Sequence, residues 1–101
     1  MISANEARKK TNEQLGIIQK EVAKAIEDWE PTLETWILET INRGEKTLNK
    51  VMPMRSLMKE YTKSHVDELL KQLTVRCENL GYKTEITANL LMDTISIELV
   101  W

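Results

Sequence analysis

Three observations predict an α+β fold. Apolar residues recur at steps of three and four from the N-terminus to about Arg43, and again from about Ser56 to Leu80. From Tyr82 to Trp101 they alternate instead. The first two patterns mark one buried face of a helix and the third a half-buried strand. Glycine follows each helical stretch, at Gly44 and Gly81, where a left-handed C-terminal residue belongs. The implied order is α-β-α-β-β: a long N-terminal helix, a second helix and a small antiparallel three-stranded sheet.

The first helix has a specific start. Ser3 is the expected N-cap, Glu6 stands three residues on to complete a capping box, and Ile2 and Ala7 occupy the two staple positions. Its stripe is Leu15, Ile18, Val22, Ile26, Trp29, Leu33, Trp36, Ile37, Thr40 and Ile41. A helix from Ser3 to Arg43 is roughly 60 Å long at 1.5 Å per residue, more than the rest of the chain covers. Gly16 and Pro31 are its weak points, and an interior proline costs about 3 kcal/mol. The helix therefore either bends near residues 27–31 or breaks there, with Pro31 in the first turn of a new helix. The unshifted phase of the stripe favours the bend.

The second helix is expected to bury Leu57, Met58, Tyr61, His65, Leu69, Leu73, Cys77 and Leu80, with Val66 and Leu70 beside them. Pro53 forbids helix immediately before it, and Tyr82 is placed to pack back on Cys77. Thr94 to Trp101 alternates Ile95, Ile97, Leu99 and Trp101 against Thr94, Ser96, Glu98 and Val100. Tyr82 to Ala88 alternates likewise, and residues 89–93 would close a hairpin. An isolated hairpin is marginal in water, so residues 46–52 are read as a third strand, with the last strand central. The chain is one domain, residues 1–101, divided into a projecting helical arm (1–28) and a compact body (29–101).

Composition narrows the function classes. The 101 residues are 42% apolar and 30% charged, as in an ordered helix-rich domain. A net charge of −2 supplies no global field for nucleic acid or anionic lipid. No apolar run approaches the ~20 residues of a membrane span, and the first residues lack the order of a signal peptide. The single cysteine, Cys77, excludes an internal disulfide and suits a reducing compartment. Membrane and nucleic-acid partners are not expected.

No catalytic, metal or cofactor site is expected. His65 and Cys77 occur once each and stand twelve positions apart on one helix, about 18 Å. That spacing rules out a dyad, and a zinc centre needs about four ligands. Gly16, Gly44 and Gly81 form no phosphate loop. The residues with surface chemistry lie on the first helix. Glu27, Glu30 and Glu34 share a face at steps of three and four, and Arg8, Lys9 and Lys10 form a basic group near the start. Two copies packed antiparallel would bring these groups together, with Leu15, Ile18, Val22 and Trp29 supplying the apolar contact. Trp29 and Trp36, one heptad apart, are candidate anchors for an outside partner, although tryptophan also fills the core of a chain without phenylalanine.

The chain combines Ser3-Ala4-Asn5-Glu6-Ala7-Arg8 at the start, Gly44-Glu45 after the first helix, Gly81-Tyr82 after the second, and Ile95-Ser96 with a terminal Trp101. In these stretches it resembles a class of small phage and prophage proteins of largely unassigned function. Pro31 and the longer span from Gly44 to Gly81 depart from that pattern. The resemblance implies a viral protein of the virion or the host cytoplasm. The leading expectation is a homo-oligomer that acts by binding, as a virion accessory or a host-directed inhibitor, with itself and a virion or host protein as partners. The alternative is an oligomeric anti-defence protein that sequesters a small anionic ligand, such as a signalling nucleotide, on Arg8, Lys9 and Lys10.

Overall fold

The computed structural model describes residues 1–101 and has the expected order. It comprises α1 (Ala4–Asn42), β1 (Thr47–Pro53), a 3₁₀ turn (Met54–Ser56), α2 (Lys63–Asn79), β2 (Lys83–Asn89) and β3 (Thr94–Val100). β3 is central, antiparallel to β1 on one side and to β2 on the other. β1 and β2 are therefore parallel to each other, and β1-α2-β2 is a βαβ unit split by β3.

Register explains the core. Three rows cross the inner face: Leu48–Leu99–Thr84, Lys50–Ile97–Ile86 and Met52–Ile95–Ala88. Ile95, Ile97 and Leu99 are at most 2% exposed because both helices lie over that face. The outer face carries Asn49, Glu98, Glu85, Val51, Ser96 and Thr87 and has no covering layer. His65–Glu21 near the start of α2 and Arg76–Glu30 near its end show that α2 runs in the same sense as α1.

α1 is unbroken from Ala4 to Asn42, so the break considered at Pro31 does not occur. The reason is which side of the helix carries the defect. Pro31 and Glu27, whose carbonyl loses its bond, are both exposed, so the defect lies on the solvent side of the helix and not in the core. Trp29 and Leu33 on either side are each 7% exposed within one core and hold the two halves in phase. The Ser3 hydroxyl accepts the Glu6 N–H at 3.2 Å. At the other end Gly44 takes φ +75°, and the Glu45 N–H reaches the Thr40 carbonyl at 3.1 Å in a Schellman ending.

Two expectations need correction. α2 begins at Lys63, not near Ser56. Thr62 caps it, with the Thr62 N–H donating to His65 Nδ1 at 3.0 Å and the His65 N–H donating to the Thr62 hydroxyl at 3.4 Å. Leu57, Met58 and Tyr61 still cover the core, but from an irregular segment.

The division at residue 28 is also misplaced. Ile18, Val22 and Ile26 are at most 5% exposed and belong to the same core as Leu69, Leu73 and Ile95. The body thus starts at Ile18, and the free part of α1 is Ala4–Ile17, about 21 Å of helix. This arm accounts for a 60 Å long axis and a radius of gyration of 15.9 Å, against about 13 Å for a globule of this length.

Candidate functional site

The arm is the first candidate surface. Every residue from Met1 to Leu15 is exposed, as is Ile17. The stripe buried downstream as Ile18, Val22, Ile26 and Trp29 continues upstream, at helical spacing, as Ala4, Ala7, Thr11 and Leu15. There it meets nothing in the chain. Of the four residues expected to associate with another copy, only Leu15, 39% exposed, is available; Ile18, Val22 and Trp29 are committed to the core of their own chain. Beyond the backbone of its own helical turn and its chain neighbours, nothing lies within 4 Å of where a Gly16 side chain would begin, so the packing gives no reason for glycine there.

The expected charged residues separate along α1. Arg8 donates from Nη1 to Asn5 Oδ1 at 2.9 Å, and Lys9 and Lys10 are exposed on the arm. Glu27, Glu30 and Glu34 lie beside the body, about 32 Å from Lys9 to Glu30 along the axis. Within one chain the two groups therefore do not meet. Glu30 pairs with Arg76 at 2.7 Å, whereas Glu27 and Glu34 form no ion pair. Trp29 and Trp36 stack edge to face with centroids 5.7 Å apart. Trp29 is buried; Trp36 is half-buried with Lys50 Nζ 5.3 Å from its ring centre, which uses part of the surface a partner would need.

A second surface is a groove of about 330 Å³ between α1, the C-terminal half of α2 and the nearby strand ends. Leu33, Leu73, Cys77 and Leu99 make its floor, and Glu34, Arg76 and Leu80 stand at its edge. Leu80 was expected inside but is 77% exposed, because α2 ends at Asn79 and the chain turns through Gly81 at φ +94°. Burial, and secondarily the charge of Glu30, push the Cys77 thiol above its ordinary pKa. It is a protonated core residue at neutral pH rather than a nucleophile.

The third surface was missed by sequence reasoning. Leu90, Leu91 and Met92 at the β2–β3 turn are 51%, 98% and 69% exposed. The available signal was a five-residue connection with three large apolar residues and no glycine. His65 is a structural residue: Nδ1 accepts the Thr62 N–H, which leaves Nε2 to donate to Glu21 at 3.2 Å. No group of three or more His, Cys, Asp or Glu side chains is placed to hold a metal ion, and no helix is long and apolar enough to cross a membrane.

The surfaces define a small α+β body with one free helical arm, one apolar groove and one apolar turn. No protein-family model, curated protein or solved structure matches the chain.

Proposed function

We propose that this is a small homo-oligomeric phage-type protein that works by binding, and that the arm of α1 is its assembly surface. The observation that carries this reading is the uncovered continuation of the core stripe through Ala4, Ala7, Thr11 and Leu15. Two arms packed antiparallel cover that stripe mutually. With Leu15 over Ala7 of the second copy, Thr11 faces its own equivalent and Lys9 comes level with Glu13 of the other arm.

Magnitudes choose between this arrangement and overlap along the whole helix. Full overlap brings Lys9 to Glu30, but it must use the outward face, since the body covers the inward one. Exposed ion pairs contribute about 0–1 kcal/mol each, whereas covering the 39% of Leu15 that is still exposed on each of two copies contributes about 1–2 kcal/mol in all, with Ala4 and Ala7 adding to it. Arm pairing through the apolar stripe prevails, and charge sets its orientation. Glu27 and Glu34 then remain a solvated face.

The phage assignment rests on the residue pattern around Ser3–Arg8, Gly44, Gly81 and Trp101, and it carries a role as virion accessory or host-directed inhibitor, in the virion or the host cytoplasm. Sedimentation velocity tests the assembly. The expected result is a dimer or larger species at micromolar concentration, reduced by Leu15→Glu with an unchanged circular dichroism spectrum. A single-chain mass for the unaltered protein at that concentration refutes the proposal.

A further inference from the structure

The β2–β3 turn carries more apolar surface than the hairpin needs. Its folding requirements are met by the residues that flank it. Asn89 Oδ1 accepts the Met92 N–H at 3.2 Å, and Asp93 adopts the left-handed conformation at φ +53°. Leu90, Leu91 and Met92 between them project into solvent, where Asn, Asp or Gly is the usual choice. Asp93 also leaves Oδ1 enclosed without a hydrogen-bond partner.

The rest of the molecule supplies a matching surface. The groove between α1 and α2 is apolar on its floor and holds about 330 Å³, against the ~30 Å³ share of a liquid water molecule. That is room for aliphatic side chains. The charges near the two surfaces are complementary. The Met54 N–H donates to the Asp93 carbonyl at 2.8 Å, which places the exposed Arg55 next to the tip. Glu34 at the groove edge has no ion-pair partner. The groove lies by Tyr82 and Leu99 and the tip beyond Asn89 and Thr94, at opposite ends of strands about 20 Å long. A chain therefore cannot fill its own groove with its own tip.

We propose that the tip Leu90–Met92 of one copy seats in the α1–α2 groove of a second copy, with Arg55 set against Glu34. The contact is independent of the arm. It joins two different patches, so each copy offers one tip and one groove.

A dilution series followed by amide NMR tests it in a Leu15→Glu background, which removes arm pairing. The amides of Leu90–Met92 and those of Leu80 and Tyr82 should shift together as concentration rises into the millimolar range. Leu91→Glu alters a residue that supports nothing in the fold, and it should abolish both sets of shifts, raising the dissociation constant at least tenfold. Leu80→Glu at the groove edge should do the same. Unlabelled Leu80→Glu, whose tip is intact, added to labelled Leu91→Glu, whose groove is intact, should restore the groove shifts alone. Glu34→Arg should weaken association, and Arg55→Glu should recover it. Groove shifts that survive Leu91→Glu, or two patches that respond at different concentrations, overturn the proposal. So does a tip that broadens with phosphatidylglycerol vesicles while the dilution series leaves it unmoved. A dilution-dependent response at both patches despite Leu15→Glu keeps this contact standing even if the arm reading fails.

Discussion

Replacing Pro31 with alanine tests how α1 tolerates an interior proline. Proline there lacks the N–H that would reach the Glu27 carbonyl, and its ring crowds that carbonyl. In an unconstrained helix interior the difference from alanine is about 3 kcal/mol. Pro31 and Glu27 are both on the exposed side of the helix, where solvent access to the orphan carbonyl would relieve part of that penalty. No tertiary contact is lost, because the residues that join this turn to the core are Trp29 and Leu33, not Pro31. The expected gain is about 2–3 kcal/mol. At 4–8 °C per kcal/mol for a domain of this size, Tm should rise by roughly 8–24 °C. Scanning calorimetry and urea unfolding at one fixed protein concentration measure it, since self-association would otherwise shift Tm by mass action. The urea m-value should not change. A Tm that is unchanged or lower would show that Trp29 and Leu33 pack correctly only around the proline, and that the exposed position of the defect is not what lets the helix continue. The sedimentation coefficient should also be unchanged, because the arm ends at Ile17.

Other perturbations probe other links. His65→Ala removes both the acceptor for the Thr62 N–H and the contact to Glu21, and should destabilise by about 1–2 kcal/mol in urea unfolding; a loss under about 0.3 kcal/mol would mean α2 does not depend on this cap. Glu85 faces Glu98 directly across the β2–β3 ladder. Glu85→Lys turns a like-charge pair into an opposite one and should stabilise by about 0.5–1 kcal/mol at low salt, less at high salt. Cys77 should alkylate far more slowly in the folded chain than in urea. Because its folded pKa is raised, its contribution to stability is complete below the unfolded thiol value and declines as pH rises through the folded one. Stability should therefore fall off above about pH 8.5, and Cys77→Ala should flatten that decline.

How much was legible depended on whether a residue announces its own conformation. Ser3, Gly44 and Gly81 do so, because capping and positive φ restrict residue choice: Ser3 starts α1, and Gly44 and Gly81 close α1 and α2, as expected. The alternation of Ile95, Ile97 and Leu99 likewise marks β3 as a strand, and its being the most apolar of the three points to the centre of the sheet, where it lies. The start of α2 was hidden for two reasons. His65 occupies the position where a capping box usually carries Glu or Gln, and Leu57, Met58 and Tyr61 happen to keep helical spacing while covering the core from a non-helical segment. The arm boundary is hard to read from the sequence because Ile18, Val22 and Ile26 are separated by polar and small residues. One large side chain per turn is enough when a second helix lies directly over it, and that second helix is a tertiary fact. The turn at Leu90–Met92 was invisible to periodicity, which reports buried faces and is silent about what a loop exposes.

The two proposed contacts differ in symmetry, and that difference makes them separable by mass alone. Arm pairing presents the same stripe from both chains, so it is isologous and closes at two copies. The tip and groove are different patches, so that contact is heterologous and leaves one of each free unless a ring or a reciprocal pair closes it. With both contacts active, arm-joined dimers still carry free tips and grooves, and mass should keep rising with concentration beyond the dimer. Leu91→Glu should stop growth at the dimer. Leu15→Glu should start from the single chain and still grow, because its tips and grooves are intact. The double variant should remain a single chain at every concentration. If the double variant still associates, a third surface is involved, and the outer sheet face around Glu85 and Glu98 would be the one left to examine. If Leu15→Glu and the unaltered chain give the same mass at every concentration, the arm contributes nothing, and its uncovered stripe must be reserved for a different protein.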